Sequence, residues 1–372
     1  MKSKQFLSIL KKNNLDFFTG VPDSLLKDFI KCIETNVPEK NHHIAANEGS
    51  AIGIGIGYHL STNKIPLVYL QNSGLGNCIN PLTSLTDPKV YSIPLVLLIG
   101  WRGENGIPDE PQHIKQGKIT ENLLKVLEIP YLVLEPGVKI TKITKLINQA
   151  RKNSCTTAFL VRKNFFHPEI MRDNIGNNLI SSREEVIEEI IKSTRKSDII
   201  VSTTGMASRE LFELRKKYKT KCVADFYTVG GMGHASQIAL GLAIKKKSKR
   251  IICIDGDGST IMHMGGLATI GSRKPKNFFH IIINNGVHGS VGGQKTDGMK
   301  IDFKKIAIGC GYQSIYTVNS KKTLKQNMKK FLAANDCAFL EIKVNKVFRK
   351  DLGRPDKSPK ENKKIFMKEI IK

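Results

Sequence analysis

Residues 254–289 read IDGDGSTIMHMGGLATIGSRKPKNFFHIIINNGVHG. The apolar run Arg250–Ile254 before them predicts a strand, and Gly256, Asp257 and Gly258 predict a tight turn at its end. Ser259 and Thr260 are expected to cap the helix that follows, whose first amides are open to an anion. Phe278–Ile283 reads as a second strand, which delivers Asn284 and Asn285 to the same edge of a parallel sheet. Open α/β sheets collect their ligands at that edge. Asp257 and Asn285 are therefore placed to share a metal. Magnesium takes oxygen ligands in octahedral geometry and leaves positions for water and phosphate, so a carboxylate, an amide oxygen and a backbone carbonyl suit it. Taken alone, Gly-Asp-Gly is equally a plain strand-to-helix turn, with Asn285 a turn residue.

Outward from this stretch, short β-branched runs alternate with helical stretches, the pattern of a parallel sheet with crossover helices. The alternation occurs twice. Strands are expected near Phe17, Ile44, 66–70, 94–100, 131–134 and 158–161, then near 199–202, 222–225, 251–254, 280–283, 313–316 and 339–344. Helices are expected to begin near Pro22, Asn47, Gly74, Ile114 and Val138, then near Arg183, Met206, His234, Thr260, Phe303 and Lys321. The segment 173–182, with asparagines and serines and no sustained period, reads as a linker between domains 1–172 and 183–372. The last residues, KIFMKEIIK, suggest a docking helix. The fold class is α/β, two doubly wound parallel-sheet domains.

The chain has 372 residues, 40% of them hydrophobic, enough for two cores. No apolar run reaches membrane-spanning length and the N-terminus lacks a secretory pattern, so neither membrane nor secretion is expected. Seven cysteines without a Cys-x-x-Cys predict reduced thiols in a cytoplasmic protein. The net charge of +26 is the feature that would favour nucleic acid. Its lysines are spread along the chain without a nucleic-acid-binding motif, so a field that attracts a small anion is the expectation instead. No Gly-x-Gly-x-x-Gly or P-loop occurs. Gly53, Gly55 and Gly57 fall inside a predicted helix and are expected to allow close packing on a neighbouring helix.

Glu48 opens that glycine- and alanine-rich helix, where a carboxylate is favoured by the helix dipole whatever its other role. Met232 lies between glycines at another strand end, a place where methionine also fills core gaps. The segments TGVPDSLLKDF, NEGSAIGIGIGYHLST, VYLQNSGLGNCINPLTSLTDP, LLIGWRGENGIPDEPQHIKQG, TTGMASRELFEL, DFYTVGGMGHASQIALG, IDGDGSTIMHMGGLATIG and NNGVHGSVGGQKT carry a closer likeness. They resemble the thiamine diphosphate-dependent 2-oxo acid decarboxylases, in the group of phosphonopyruvate and sulfopyruvate decarboxylases, without the central third domain of larger members.

The resemblance implies the thiamine diphosphate-binding fold, with a pyrimidine-binding first domain and a diphosphate-binding second one. It implies thiamine diphosphate and Mg2+ as cofactors, with Asp257, Asn285 and the Val287 carbonyl as metal ligands. Glu48 is then the catalytic acid against the aminopyrimidine, and Met232 the wedge between the cofactor rings. Gly256, Gly258, Ser259, Gly231, Thr204, Gly205 and His234 are expected around the cofactor. The implied activity is decarboxylation of 3-phosphonopyruvate to phosphonoacetaldehyde and carbon dioxide, in phosphonate biosynthesis. Sulfopyruvate decarboxylation, acetolactate-synthase-like carboligation and a thiamine diphosphate-binding regulatory module are the alternatives. Such an anionic 2-oxo acid needs donors, and Asp23, Ser24, Asn72, Ser73, Arg102 and His113 of the first half, with His288, Ser290 and Gln294 of the second, are the candidates. A homodimer or larger homo-oligomer with sites between subunits is the implied assembly.

Overall fold

In the computed structural model the described residues are 1–167, 182–219, 224–347, 349 and 351–371. All of the expected linker except Ser182, and Cys222, lie outside them. The chain divides into two compact units, Met1–Asp173 with Val291–Gln294, and Asn174–Ser290 with Lys295–Lys372.

The first unit contains strands β1 (Phe18–Gly20), β2 (His42–Ile44), β3 (Leu67–Gln71), β4 (Val96–Gly100), β5 (Tyr131–Leu134) and β6 (Thr157–Val161). They pair in parallel in the order β2-β1-β3-β4-β6-β5. Its helices are α1 (Ser3–Lys12), α2 (Lys27–Asn36), α3 (Glu48–Thr62), α4 (Leu75–Pro81), α5 (Pro111–Val126) and α6 (Ile140–Asn153). Alternate side chains of a strand point to opposite faces, and both faces here are apolar. Leu67 and Tyr69 of β3 join Phe6, Phe29 and Ile147 of α1, α2 and α6. Val68 and Leu70 join Ile52, Cys78 and Leu124 of α3, α4 and α5.

The second unit has β7 (Ile199–Ser202), β8 (Ala224–Tyr227), β9 (Ile251–Gly256), β10 (Phe278–Asn284), β11 (Ser314–Val318) and β12 (Ala338–Lys343), parallel in the order β11-β12-β10-β9-β7-β8. Helices α7 (Arg183–Ser193), α8 (Met206–Lys217) and α13 (Lys321–Leu332) cover one face. Helices α9 (Ala235–Lys245), α11 (Gly265–Arg273), α12 (Phe303–Cys310) and α14 (Pro359–Ile371) cover the other, and α10 (Asp257–Met262) is a single short turn of helix. Renumbered within each unit, both sheets have the same strand order, 2-1-3-4-6-5. The winding reverses between the first and third strands, so each unit has its crevice at the carboxyl ends of those strands. No described helix is long and apolar enough to cross a membrane.

Several sequence expectations are corrected. The segment MKSKQFLSILKKNN forms α1, a helix the pattern reading omitted, because its apolar positions 6, 7, 9 and 10 make one buried face. The helix expected at Pro22 starts at Lys27, since the Asp23 carboxylate accepts the Leu25 amide at 2.9 Å and closes a turn first. No tight turn follows β9: the strand runs to Gly256 and α10 begins at Asp257. Ser259 and Thr260 lie inside α10 and do not cap it, and the one helix expected there is two. A Cβ on Gly55 would rest on Pro66, Val68 and Leu95, whereas one on Gly53 or Gly57 would meet nothing within 4 Å. Of these three glycines only Gly55 makes a close approach, and it is to the sheet rather than to a helix. The C-terminal run forms α14, whose Phe366 packs on Phe226 of β8 with ring centroids 5.3 Å apart.

Candidate active site

In the first unit, Asn47 caps α3 by accepting the Ser50 amide at 2.9 Å, which sets Glu48 as its first residue. Glu48 is 6% exposed, and its Oε2 accepts a 2.6 Å hydrogen bond from Asn77 Nδ2 of α4. A Cβ on Gly74 would lie 2.4 Å from Glu48 Oε1, so only glycine leaves room for the carboxylate. The Cys78 thiol beside it is pushed upward by burial and then by the Glu48 charge. The carboxylate is thus buried, held by one side-chain amide and packed against the backbone of Gly74.

The crevice between β1 and β3 holds the anion-binding candidates. Asp23 is fully buried, its Oδ1 has no partner among the described residues, and burial raises its carboxyl to about 6. Its other oxygen excludes any side chain from position 100, where a Cβ on Gly100 would come within 2.1 Å. Arg102 gives Nε and Nη2 to Asp109 at 2.8 and 2.5 Å and Nη1 to Ser24 Oγ at 2.7 Å. Asp109 had no place in the sequence reading. Partial burial opposes its ionisation, yet the Arg102 hydrogen bonds and the Glu110 and Gly103 amides hold its carboxyl well below the usual range. Asn72 is spent on scaffolding: its Nδ2 donates to the Arg102 carbonyl at 2.8 Å and to Thr120 Oγ1 at 3.0 Å. Ser73 is exposed and accepts from Gln71. His113 is buried with Nδ1 unpartnered, and burial followed by the Arg102 charge lowers its imidazole to about 4.

In the second unit the crevice lies between β7 and β9. Asp257 is 2% exposed, accepts the Asn285 amide at 3.3 Å on Oδ1 and the Thr296 hydroxyl on Oδ2. Burial raises its carboxyl to about 6 against the opposing hydrogen bonds of Thr296 and the Asn285 amide, and among the described residues no cationic side chain pairs with it. Asn285 Oδ1 accepts the Val287 amide at 3.2 Å, which closes a turn that the Asn285 amide ties to Asp257. Asn284 donates to the Gly298 carbonyl at 2.7 Å and to Glu341 Oε1 at 2.9 Å, and its Oδ1 accepts the Gly286 amide at 3.2 Å. Gly298 permits the cluster, because a Cβ there would lie 2.5 Å from Asp257 Oδ2. A buried carboxylate without a counter-charge, next to an amide oxygen and a carbonyl, has the donor set of a hard divalent cation. The residues fit magnesium.

Around this cluster, Ser259 Oγ links Thr203 Oγ1 at 2.9 Å to the Gly233 amide at 3.1 Å, and Thr204 Oγ1 accepts the Gly230 amide at 3.0 Å. Gly205, Gly230, Gly231 and Gly233 all have positive φ, which side chains rarely tolerate. Met232 is half-buried amid these glycines and belongs to neither apolar cluster, so it is no ordinary core methionine. His234 is exposed and its ring stands 4.5 Å from that of His263. His288 lies beside Gly258, where a Cβ would come within 2.9 Å of Cε1, and burial lowers its imidazole to about 4. Ser290 is exposed and is the nearest neighbour a Cβ on Gly205 would meet, at 3.7 Å. Gln294, which belongs to the first unit, is buried with Oε1 unpartnered among the described residues.

Comparison with known proteins agrees with this division. Residues 2–124 match the N-terminal TPP binding domain of thiamine pyrophosphate enzymes, and residues 203–342 match their C-terminal TPP binding domain. A phosphonopyruvate decarboxylase of Streptomyces viridochromogenes is 30% identical over 364 residues, 93% of this chain and 89% of that one. A sulfopyruvate decarboxylase of Methanosarcina acetivorans is 29% identical over 91% of this chain and 90% of its own. The sulfopyruvate decarboxylase subunit beta of Methanocaldococcus jannaschii is 38% identical over 163 residues, 44% of this chain and 83% of that subunit.

Proposed function

The chain belongs to the thiamine pyrophosphate enzymes, in the group of phosphonopyruvate and sulfopyruvate decarboxylases, and we propose that it converts 3-phosphonopyruvate to phosphonoacetaldehyde and carbon dioxide. It is a carboxy-lyase. The observation that carries the reading is one buried carboxylate in each of two units of matching topology, Glu48 packed against Gly74 and Asp257 beside the Asn285 amide.

Thiamine diphosphate supplies, when bound, a carbon nucleophile and an electron sink for the pair released with carbon dioxide. Asp257, Asn285 and the Val287 carbonyl would hold Mg2+. The open amides of α8 behind Gly205, with Thr204, Ser259, Gly256, Gly258, Gly231 and His234 nearby, would receive the diphosphate. Met232 would brace the ring system, and Glu48 would hold or return a proton at its carboxylate. Arg102 is the strongest donor for the second anionic group of the substrate, and a dianion would take it from Asp109. Asp23, Ser24, Asn72, Ser73, His113 and Gln294 of the first unit and His288 and Ser290 of the second are the further substrate candidates, with Asn72 acting by holding Arg102. The net charge of +26 draws such an anion toward the protein.

The likeness to the Methanosarcina enzyme supports sulfopyruvate as the second reading of the substrate. We place the reaction in phosphonate biosynthesis and the protein in the cytoplasm, a placement supported by seven cysteines scattered without a Cys-x-x-Cys. A homodimer is the smallest active assembly proposed, with larger homo-oligomers possible. Exchanging the two carboxylates one at a time tests the roles. Glu48→Gln is expected to leave cofactor and magnesium affinity within a few-fold of the parent while kcat falls by about 100-fold or more. Asp257→Ala is expected to weaken metal and cofactor binding first. Calorimetric titrations with the opposite assignment would overturn the reading.

A further inference from the structure

The two oxygens of Glu48 have unlike surroundings. Oε2 receives Asn77 Nδ2 at 2.6 Å, while Oε1 lies toward Gly74, where even a Cβ would come within 2.4 Å. Gly74 is the residue before α4 and Asn77 lies three positions on, so both present themselves on the same side of one helical turn. A second glycine sets the spacing: a Cβ on Gly49 would come within 2.8 Å of the Asn77 carbonyl, so α3 and α4 approach to backbone contact there. Asn77 itself is exposed and makes no contribution to either apolar cluster of the unit.

A carboxylate oxygen cannot donate when ionised, so the nitrogen of the Asn77 amide must face it. That nitrogen has hydrogens to give and no lone pair to accept with. While the bond holds, Oε2 stays the accepting oxygen, and a proton arriving on Glu48 goes to Oε1. We propose that Asn77 is a positioning residue that fixes which oxygen of Glu48 carries the proton, so that Oε1 alone exchanges it with a bound aminopyrimidine. The proposal rests on the reading of Glu48 given above. Asn77 acts through Glu48 and touches neither substrate nor the reacting atoms.

Removing the donor leaves Glu48 free to rotate and to protonate on either oxygen. The test compares Asn77→Ala, Asn77→Asp and Glu48→Gln in the full-length protein loaded with thiamine diphosphate and Mg2+. Three quantities are measured without relying on turnover alone: cofactor affinity by calorimetry, the rate of exchange of the thiazolium C2 proton in D2O, and the pH profile of kcat. Asn77→Ala is expected to bind cofactor within about threefold of the parent, yet to slow C2 proton exchange and kcat together by about tenfold or more. Asn77→Asp places two carboxylates in contact, which share a proton, and should move the acid limb of the profile upward. Parental exchange rate and profile in both Asn77 variants would overturn the proposal while Glu48→Gln remains inactive. A loss in Asn77→Ala explained wholly by weaker cofactor binding would overturn it too, as a purely structural role. A fully active Glu48→Gln would instead remove the underlying reading of Glu48, and this proposal with it.

Discussion

Asp23 shows at the scale of one residue how the crevice holds energy in reserve. Burial raises its carboxyl to about 6, against the opposing pull of the Leu25 amide, the Arg102 charge and the Ser24 and Leu26 amides. An unfolded aspartate titrates near 3.9, so between about pH 4 and 6 the native state holds a proton that the unfolded chain has released. Stability therefore falls as pH rises through that window. Asp23→Asn, which cannot ionise, should be more stable than the parent at pH 8 by on the order of 2–3 kcal/mol, and the difference should vanish near pH 4. Parallel urea unfolding curves at the two pH values check this; equal stability at pH 8 contradicts it. Glu48, Asp257 and Asn285 were legible in the sequence as candidates because each closely follows the end of a strand, a position that short-range pattern reveals. Asp109, Asn77, Thr296 and Glu341 were not. Their roles come from side-chain pairings fixed by loop geometry and by the register of strands such as β10 and β12, which no local spacing encodes.

Among the elements, α1 is the one whose importance the sequence concealed. Lysines flank a short apolar stretch, and the segment reads as a solvated N-terminus until the fold supplies its partner surface. Phe6 then packs edge-on against Phe29, Phe159, Phe165 and Phe166, with centroids 5.2 to 6.3 Å apart. Phe6→Ala removes a fully buried ring from that cluster and should cost about 3–5 kcal/mol, read as a lowered unfolding midpoint of the first unit. A change below about 1 kcal/mol would mean that α1 is dispensable. The strands and most helices of both sheets were legible from period and punctuation. The start of α10 was not, because a helix beginning directly at a buried, uncapped Asp257 breaks the usual preference for a cap outside the first turn. The departure falls on the metal-binding candidate, where local rules commonly yield to function.

Over the whole molecule, the repeated strand order makes each unit present one crevice, and in the proposed reading each crevice carries one part of the chemistry. The first has the buried acid and the guanidinium; the second has the oxygen cluster. The alternation of strands and helices announced two α/β units, but the shared order 2-1-3-4-6-5 depends on which strands pair at long range, and sequence period is blind to that. On the assembly, light scattering of the active protein should give a mass of two chains or a multiple. A fully active monomer would contradict the proposed dimer.

The central claim is that this chain removes carbon dioxide from a 2-oxo acid bearing a second, phosphonate anion. It is tested most directly by supplying the purified protein with thiamine diphosphate and Mg2+ and measuring aldehyde release from 3-phosphonopyruvate and sulfopyruvate side by side. The account predicts phosphonoacetaldehyde formation from the first with the higher kcat/KM, abolished when the cofactor is withheld. Aldehyde from sulfopyruvate under conditions where phosphonopyruvate yields none would contradict it.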